Sequence, residues 1–449
     1  MNETGRTDPA AGRHAGRQRR ESVPRRSHCT LTVGPDRDPV AVLLAQNQSR
    51  VPELVPVRMG RMADSQFSFF RGAAAVMASD LSRTPVSGIE VQACGDAHLS
   101  NFGAFASPER TLLFDVNDFD ETLPAPWEWD VKRLCASAVV AARQNGFTEE
   151  QGRTVAHAGV RSYRERMSVL AELSALDVYY ERENAEALIG MSKTLTAKQR
   201  KRLGKVRRNT SEKVLTKLTV ASDDGMPRIV DQPPLLQHRP ELEHKEFIVH
   251  FLEQYRKSLR ADVEHLLARF ELVDVALKVV GVGSVGTRCF IALLLDRTGA
   301  PLFLQVKEAE QSVLEPYWRR VRTTQQGHRV VRGQQIMQAE SDVFLGWAKG
   351  DGGRFFYVRQ FRDMKGSVDV DALTAPTLVE YLQLCGLTLA RAHAQSGMAA
   401  EIAGYMGNGA QFDNAIVEFS TCYADQNEQD HQALLAAIDD GRVEAVRGV

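Results

Sequence analysis

Two acidic stretches carry the residue types that could do chemistry: CGDAHLSNFG at 94–103 and LLFDVNDFDE at 112–121. Asp96 and Asn101 stand five apart on one polar loop. That spacing can set a carboxylate beside a substrate hydroxyl while an amide oxygen reaches a divalent cation. Asp115, Asp118 and Asp120 crowd like charges at the end of the next apolar run. Such crowding is costly unless a cation neutralises it, and a hard cation such as magnesium selects carboxylate oxygens. Turn capping accounts for any one of these Asp or Asn residues taken singly. It does not account for the ordered set Asp96, His98, Asn101, Asp118 and then Asp130. For His98, bracing the loop is the commoner role and metal ligation the rarer one.

A second signal is Gly281-x-Gly283-x-x-Gly286. Dinucleotide-binding folds and kinases both use this spacing, and the following residues discriminate between them. In a dinucleotide fold the glycines open a helix, whereas RCFIALLL at 288–295 reads as a strand. A strand, glycine turn and strand that together cover phosphates is the kinase version. Lys307 follows in LFLQVKEA, an apolar strand about twenty residues past the last glycine. An ammonium buried there needs an anionic partner, and nucleotide phosphates would serve.

The elements that must position these groups can be read from periodicity. FSFFRGAAAVMASDL at 67–81 predicts a short buried helix, ended by the proline-containing stretch 82–87. Residues 89–93 and 111–116 predict two strands joined by the polar catalytic loop, and DVKRLCASAVVAA at 130–142 a core helix. From about 272, three β-branched strands joined by glycine-containing turns begin a β-rich lobe. Helices are expected over 325–340 and 376–394 and near the C-terminus, with a strand pair around 355–360. The resulting organisation is a helix-rich lobe at 28–270, a β-rich lobe at 271–370 and C-terminal helices at 371–449. Residues 1–27, rich in Arg, Gly, Pro and Ser, read as a disordered basic tail in which Arg17, Arg19, Arg20, Arg25 and Arg26 face solvent or an anionic partner. The basic stretch 198–208 reads as a solvated helix face.

A formal net charge of -1 over 449 residues gives nucleic-acid binding no support. The six cysteines form no C-x-x-C pair, which argues against a zinc site or a disulfide framework. No apolar run approaches the roughly 18 residues that span a bilayer. A soluble, cytoplasmic protein of ordinary composition is expected.

The stretches RGAAAVMASDL, GDAHLSNFG, FDVNDFDETLPAPWEWDVKRL, VKEA, FYVRQFRDMKGS and YADQNEQDH resemble the signatures of a large bacterial family of uncharacterised proteins, from about residue 50 to the end. That family resembles the protein-kinase-like superfamily, and GDAHLSN is similar to the H-G-D-x-H-x-x-N loop of aminoglycoside phosphotransferases. The resemblance implies an α+β, two-lobed fold with Asp96 as catalytic base, Asn101 and Asp118 as magnesium ligands, and Asp130 as a loop brace. Lys307 would meet the phosphates of ATP beneath the turn Gly281, Gly283, Gly286. Cys94 stands where those kinases carry His, and His98 where protein kinases carry Lys, which points away from protein substrates. The glycine turn follows the catalytic loop, so the implied fold is circularly permuted. The glutamate that would pair with Lys307 is not identified, Glu315 and Glu340 being at awkward spacings.

The expected activity is magnesium- and ATP-dependent phosphoryl transfer to a hydroxyl acceptor that the sequence does not name. AMP transfer or a nucleotide-binding pseudokinase on the same fold, and a metal-dependent hydrolase built on Asp96, His98 and Asp118, are the alternatives.

Overall fold

Alternating and continuous apolar runs build the sheet that carries the glycine turn. The structure, a computed structural model, describes residues 8–196, 200, 211–222, 225–239, 245–318, 323–361 and 366–448. Strands β8 (Phe270–Lys278), β9 (Cys289–Asp296) and β10 (Pro301–Glu308) form successive antiparallel hairpins, as the sequence predicts. They join β7 (Leu236–Gln237), β11 (Gly346–Lys349) and β12 (Phe355–Gln360) in a six-stranded sheet of order β11-β12-β10-β9-β8-β7. One face, including Ala292, Leu304 and Val358, packs under Phe251 and Tyr255 of the helix Lys245–Lys257. On the other, Ala276, Ile291, Leu293 and Phe303 pack with Val214 and Ile229. The expected boundary at 271 therefore falls inside a packed unit, because residues from 214 onward already cover this sheet.

The acidic stretches lie on smaller sheets. Strand β1 (Glu90–Ala93) pairs with β4 (Leu123–Pro126), and β2 (Phe102–Ala106) pairs with β3 (Leu112–Val116) and β13 (Gly366–Ser367). Strand β2 lies within the stretch expected to be a polar loop; its FGAFA run is wholly buried and lacks a polar alternation to mark it.

Helices surround these sheets. The expected helix at 67–81 is two, α4 (Gln66–Gly72) and α5 (Ala74–Leu81), broken at Ala73. They follow α1 (Pro9–Ser22), α2 (Pro39–Asn47) and α3 (Val55–Ala63). Helix α6 (Trp127–Gln144) is almost entirely buried, and α7 (Glu149–Leu170) begins with a Thr148/Gln151 capping box. Later come α8 (Gln326–Met337), α9 (Ala375–Ala394), the helix Ala399–Met406 and α10 (Gln411–Asp439). Among the described residues no helix is long and apolar enough to cross a membrane. Of the basic stretch 198–208, all but residue 200 lies outside the described residues.

The expected disordered tail is corrected from residue 8 onward. Asp8 caps α1, and Gly16 lets α1 approach the helix Ala399–Met406 so closely that an added Cβ would lie 2.0 Å from the Glu401 carbonyl oxygen. Arg20 donates to the carbonyls of Tyr405, at 2.8 Å, and Gly404, while Arg25 donates to that of Met406 at 2.7 Å. These arginines satisfy the open carbonyl end of another helix, where positive charge is favoured. Composition alone could not reveal that partner, some 380 residues away.

Candidate active site

Helix α6 holds the loop at 94–101 along one face. Asp130, Arg133 and Ser137 are spaced i, i+3 and i+7, so all three point the same way. Asp130 accepts from the backbone N–H groups of Cys94 (2.7 Å) and Gly95 (2.9 Å), and Ser137 Oγ from Leu99 N (3.1 Å). Arg133 Nε donates to Asp96 Oδ1 at 2.5 Å. His393 Nε2 on α9 lies 3.1 Å from Asp130 Oδ2, and its Nδ1 meets the Tyr163 hydroxyl at 2.8 Å, so the brace is itself braced. Asp130 thus grips the backbone of the loop and does not line the cavity described below. Gly95 has a φ of 78°, and a Cβ there would sit 2.4 Å from the Glu121 carbonyl oxygen. Only glycine fits that turn.

The loop presents Asp96 and Asn101 to a cavity of about 640 Å³. The Asp96 side chain keeps 20% exposure. Burial raises its pKa, and Arg133 opposes that rise. Asn101 Nδ2 donates to Asp96 O at 2.8 Å, and the amide oxygen keeps its acceptor capacity. His98 is 4% exposed, its Nε2 lies 3.7 Å from Asp96 Oδ2, and its Nδ1 has no partner among the described residues. Burial, with Arg71 and Arg133 nearby, drives its pKa well down, so the ring is neutral at pH 7.

Behind the cavity-lining Asp118 and Asp120, strand β10 delivers Lys307. Its ammonium, on a side chain 3% exposed, bonds Asp120 Oδ2 and lies 3.8 Å from Asp118 Oδ1. Burial disfavours its charge, but Asp118 and Asp120 overcome that and hold its pKa well above the ordinary value. Tyr357 donates to Asp120 Oδ1 at 2.8 Å, and Ser284 in the glycine turn to Asp120 Oδ2 at 3.4 Å. Neither Glu315 nor Glu340 takes the lysine: Glu340 pairs with Arg182 at 2.6 Å, and α8 contains no acidic residue.

The glycine turn joins β8 to β9 and opens no helix. Gly281 and Gly283 line the cavity; Gly286 lies behind, its carbonyl accepting from Val51 N at 2.8 Å. The turn is tied to the N-terminal helices, because Arg61 donates to Gly281 O at 2.7 Å and Arg50 to Val285 O.

Asp115 does not belong to this cluster. It is 0% exposed and binds Arg391 of α9 at 2.7 Å and Ala339 N at 2.8 Å. Crowding in sequence misled here, because Asp115 lies within strand β3 whereas Asp118 and Asp120 lie in the turn beyond it. Among the described residues no group of three or more His, Cys, Asp and Glu side chains is arranged to hold a metal ion. Magnesium on a nucleotide needs only one or two carboxylates, with phosphates and waters completing its shell, and Asp118 with Asn101 fits that smaller demand.

Several cavity residues escaped the sequence reading. Glu121 takes a hydrogen bond from Val313 N at 2.7 Å and is pushed up to about 7 by burial. Arg50 and Arg71 line the wall nearest the N-terminal helices. A lone cation inside the apolar run FSFFRGAAA was the available signal for Arg71, and the i, i+3 pairing with Asp130 was the signal for Arg133.

A family model described as "Uncharacterized protein conserved in bacteria (DUF2252)" matches residues 50–437. The chain belongs to that family. The matched span contains every residue of the site except the part of the cavity wall formed by Val42, Ala45, Gln46 and Ser49. No curated protein and no solved structure matches the chain.

Proposed function

We propose that this chain is a phosphotransferase that uses magnesium and ATP and passes the γ-phosphoryl group to a hydroxyl acceptor, on a circularly permuted kinase-like fold. One observation supports the reading: Lys307, on the second strand after the glycine turn, meets Asp118 and Asp120, which line the same cavity as Asp96 and Asn101. Kinases likewise place a lysine on the third strand of the lobe, two strands past a glycine-rich turn, and follow it with a helix. Here that helix is α8, and since it lacks an acid, the aspartates of the 118–120 turn replace its usual glutamate as the lysine's partners.

In this reading Asp96 orients the acceptor hydroxyl and receives its proton. The acceptor oxygen forms a bond to the γ-phosphorus as the bond to the β-phosphate oxygen breaks, which leaves ADP and the phosphorylated acceptor. Asp118 and Asn101 would hold magnesium, which when bound neutralises phosphate charge. Lys307 would shift from Asp120 toward the phosphates, and the glycine turn would cover them. Arg133 keeps the Asp96 carboxylate aimed, and the neutral His98 adds no charge beside it.

Asp96→Asn should bind Mg-ATP as the natural chain does, measured by calorimetry, while ADP release falls by about 10²–10⁴-fold. Undiminished ATP consumption by that variant would remove Asp96 from the mechanism. No binding of Mg-ATP by the natural chain would remove the reading altogether. Mass spectrometry of the acceptor distinguishes a transferred phosphate from a transferred AMP.

A further inference from the structure

Arg71 has no place in the phosphoryl-transfer machinery described above, and it is unlike the arginines around it. Arg58 donates to Asn47, Gln46 and the Gly72 carbonyl, Arg133 to Asp96 and the Phe70 carbonyl, and Arg50 to the Val285 carbonyl. Arg71 makes no hydrogen bond or ion pair among the described residues, its Nε is buried without a partner, and it lines the cavity. A guanidinium is a planar fork of five donors, and leaving its buried Nε without an acceptor is costly.

Two further features converge on that wall. Helix α5 begins at Ala74, three residues after Arg71 and just beyond the end of α4, and Ala73 supplies no capping side chain. The first amides of α5 therefore lack the side-chain acceptor that usually satisfies them, and the positive end of the helix dipole lies there. Gly72, Ala74 and Ala75 line the cavity, and their small side chains leave room beside the guanidinium. Arg50, 8% exposed and with its own Nε unpartnered, lines the same cavity. The Arg71 charge is felt by both Asp96 and His98, which places this wall beside the proposed base.

We propose that Arg71 and the N-terminus of α5 form an anion subsite for the acceptor, so that the acceptor is a small hydroxyl compound already bearing a phosphate group. A forked guanidinium beside open helix amides is the donor set that suits a phosphate. An anion held there would present its neighbouring hydroxyl to Asp96, while the nucleotide phosphates occupy the Lys307 side. The choice of acceptor rests on the phosphotransferase reading; the anion subsite itself does not.

The test uses the full chain saturated with magnesium and a non-hydrolysable ATP analogue, with inorganic phosphate titrated in by calorimetry. Phosphate should bind the natural chain and bind Arg71→Gln about tenfold or more weakly, as expected for losing a charge-assisted pair. The affinity of the analogue for Arg71→Gln should stay unchanged, which also reports that the variant is folded. Equal phosphate affinity in the two proteins, or no phosphate binding to the natural chain, overturns the proposal. So does a parallel loss of analogue affinity, which would assign Arg71 to the nucleotide. If the analogue binds neither protein while phosphate binding alone still depends on Arg71, the anion subsite stands and the phosphotransferase reading falls.

Discussion

Asp115 and Asp118 lie three residues apart in one acidic run, yet each meets a different cation in a different setting. Asp115 is sealed within β3 against Arg391, which is likewise 0% exposed on its side chain. Asp118, in the turn after the strand, keeps 31% side-chain exposure, lines the cavity and lies 3.8 Å from the Lys307 ammonium. A fully buried ion pair, with further hydrogen bonds to the Ala339 amide and the Met337 carbonyl, fixes how elements dock, whereas a cavity-facing acid beside an ammonium is open to a ligand. The difference arises because a strand directs its side chains into packed faces, whereas the turn after it releases them toward the cleft.

The largest effect expected from breaking this contrast is on stability. Asp115→Ala strands the Arg391 guanidinium in the interior and should lower unfolding stability by about 3–5 kcal/mol in urea titrations. Asp118→Ala, partly exposed and with Asp120 still on the lysine, should cost about 1 kcal/mol or less. Equal losses would mean that the two acids play the same structural role. The contrast reverses in turnover: Asp118→Asn should lose about 10²-fold in ATP-dependent phosphoryl transfer, read from initial rates, with its melting temperature nearly preserved. Full activity in that variant would take Asp118 out of the site.

A last effect concerns Glu121, in the same turn, and depends on pH. Its native pKa is raised to about 7 from 4.5, so its proton stays on in the folded chain after the unfolded chain has lost it. Relative to Glu121→Gln, the natural chain should therefore hold its full stability below about 4.5 and lose on the order of 2 kcal/mol as pH rises through about 7. A stability difference that does not change with pH would show that Glu121 is ionised in the fold.

Much of the site could be read in advance. The Asp96 to Asn101 spacing, the glycine turn between strands and the lysine strand follow from local periodicity and turn chemistry, because strand and turn preferences act within a few residues. Asp115 was misassigned because adjacency in sequence carries no information on which face of a strand is sealed. The N-terminal arginines were read as a free tail because their acceptors, the carbonyls at 404–406, belong to the far end of the chain.

The sequence by itself determined which groups could do chemistry and which short elements would carry them. Only the tertiary structure decided that His393 would brace Asp130, that Arg391 would claim Asp115, and that Lys307 would be brought onto Asp120 from 187 residues away. The physical reason is that a charge buried by folding must find a partner within a few ångströms. Which partner arrives is set by how whole helices and sheets pack, which no local spacing encodes.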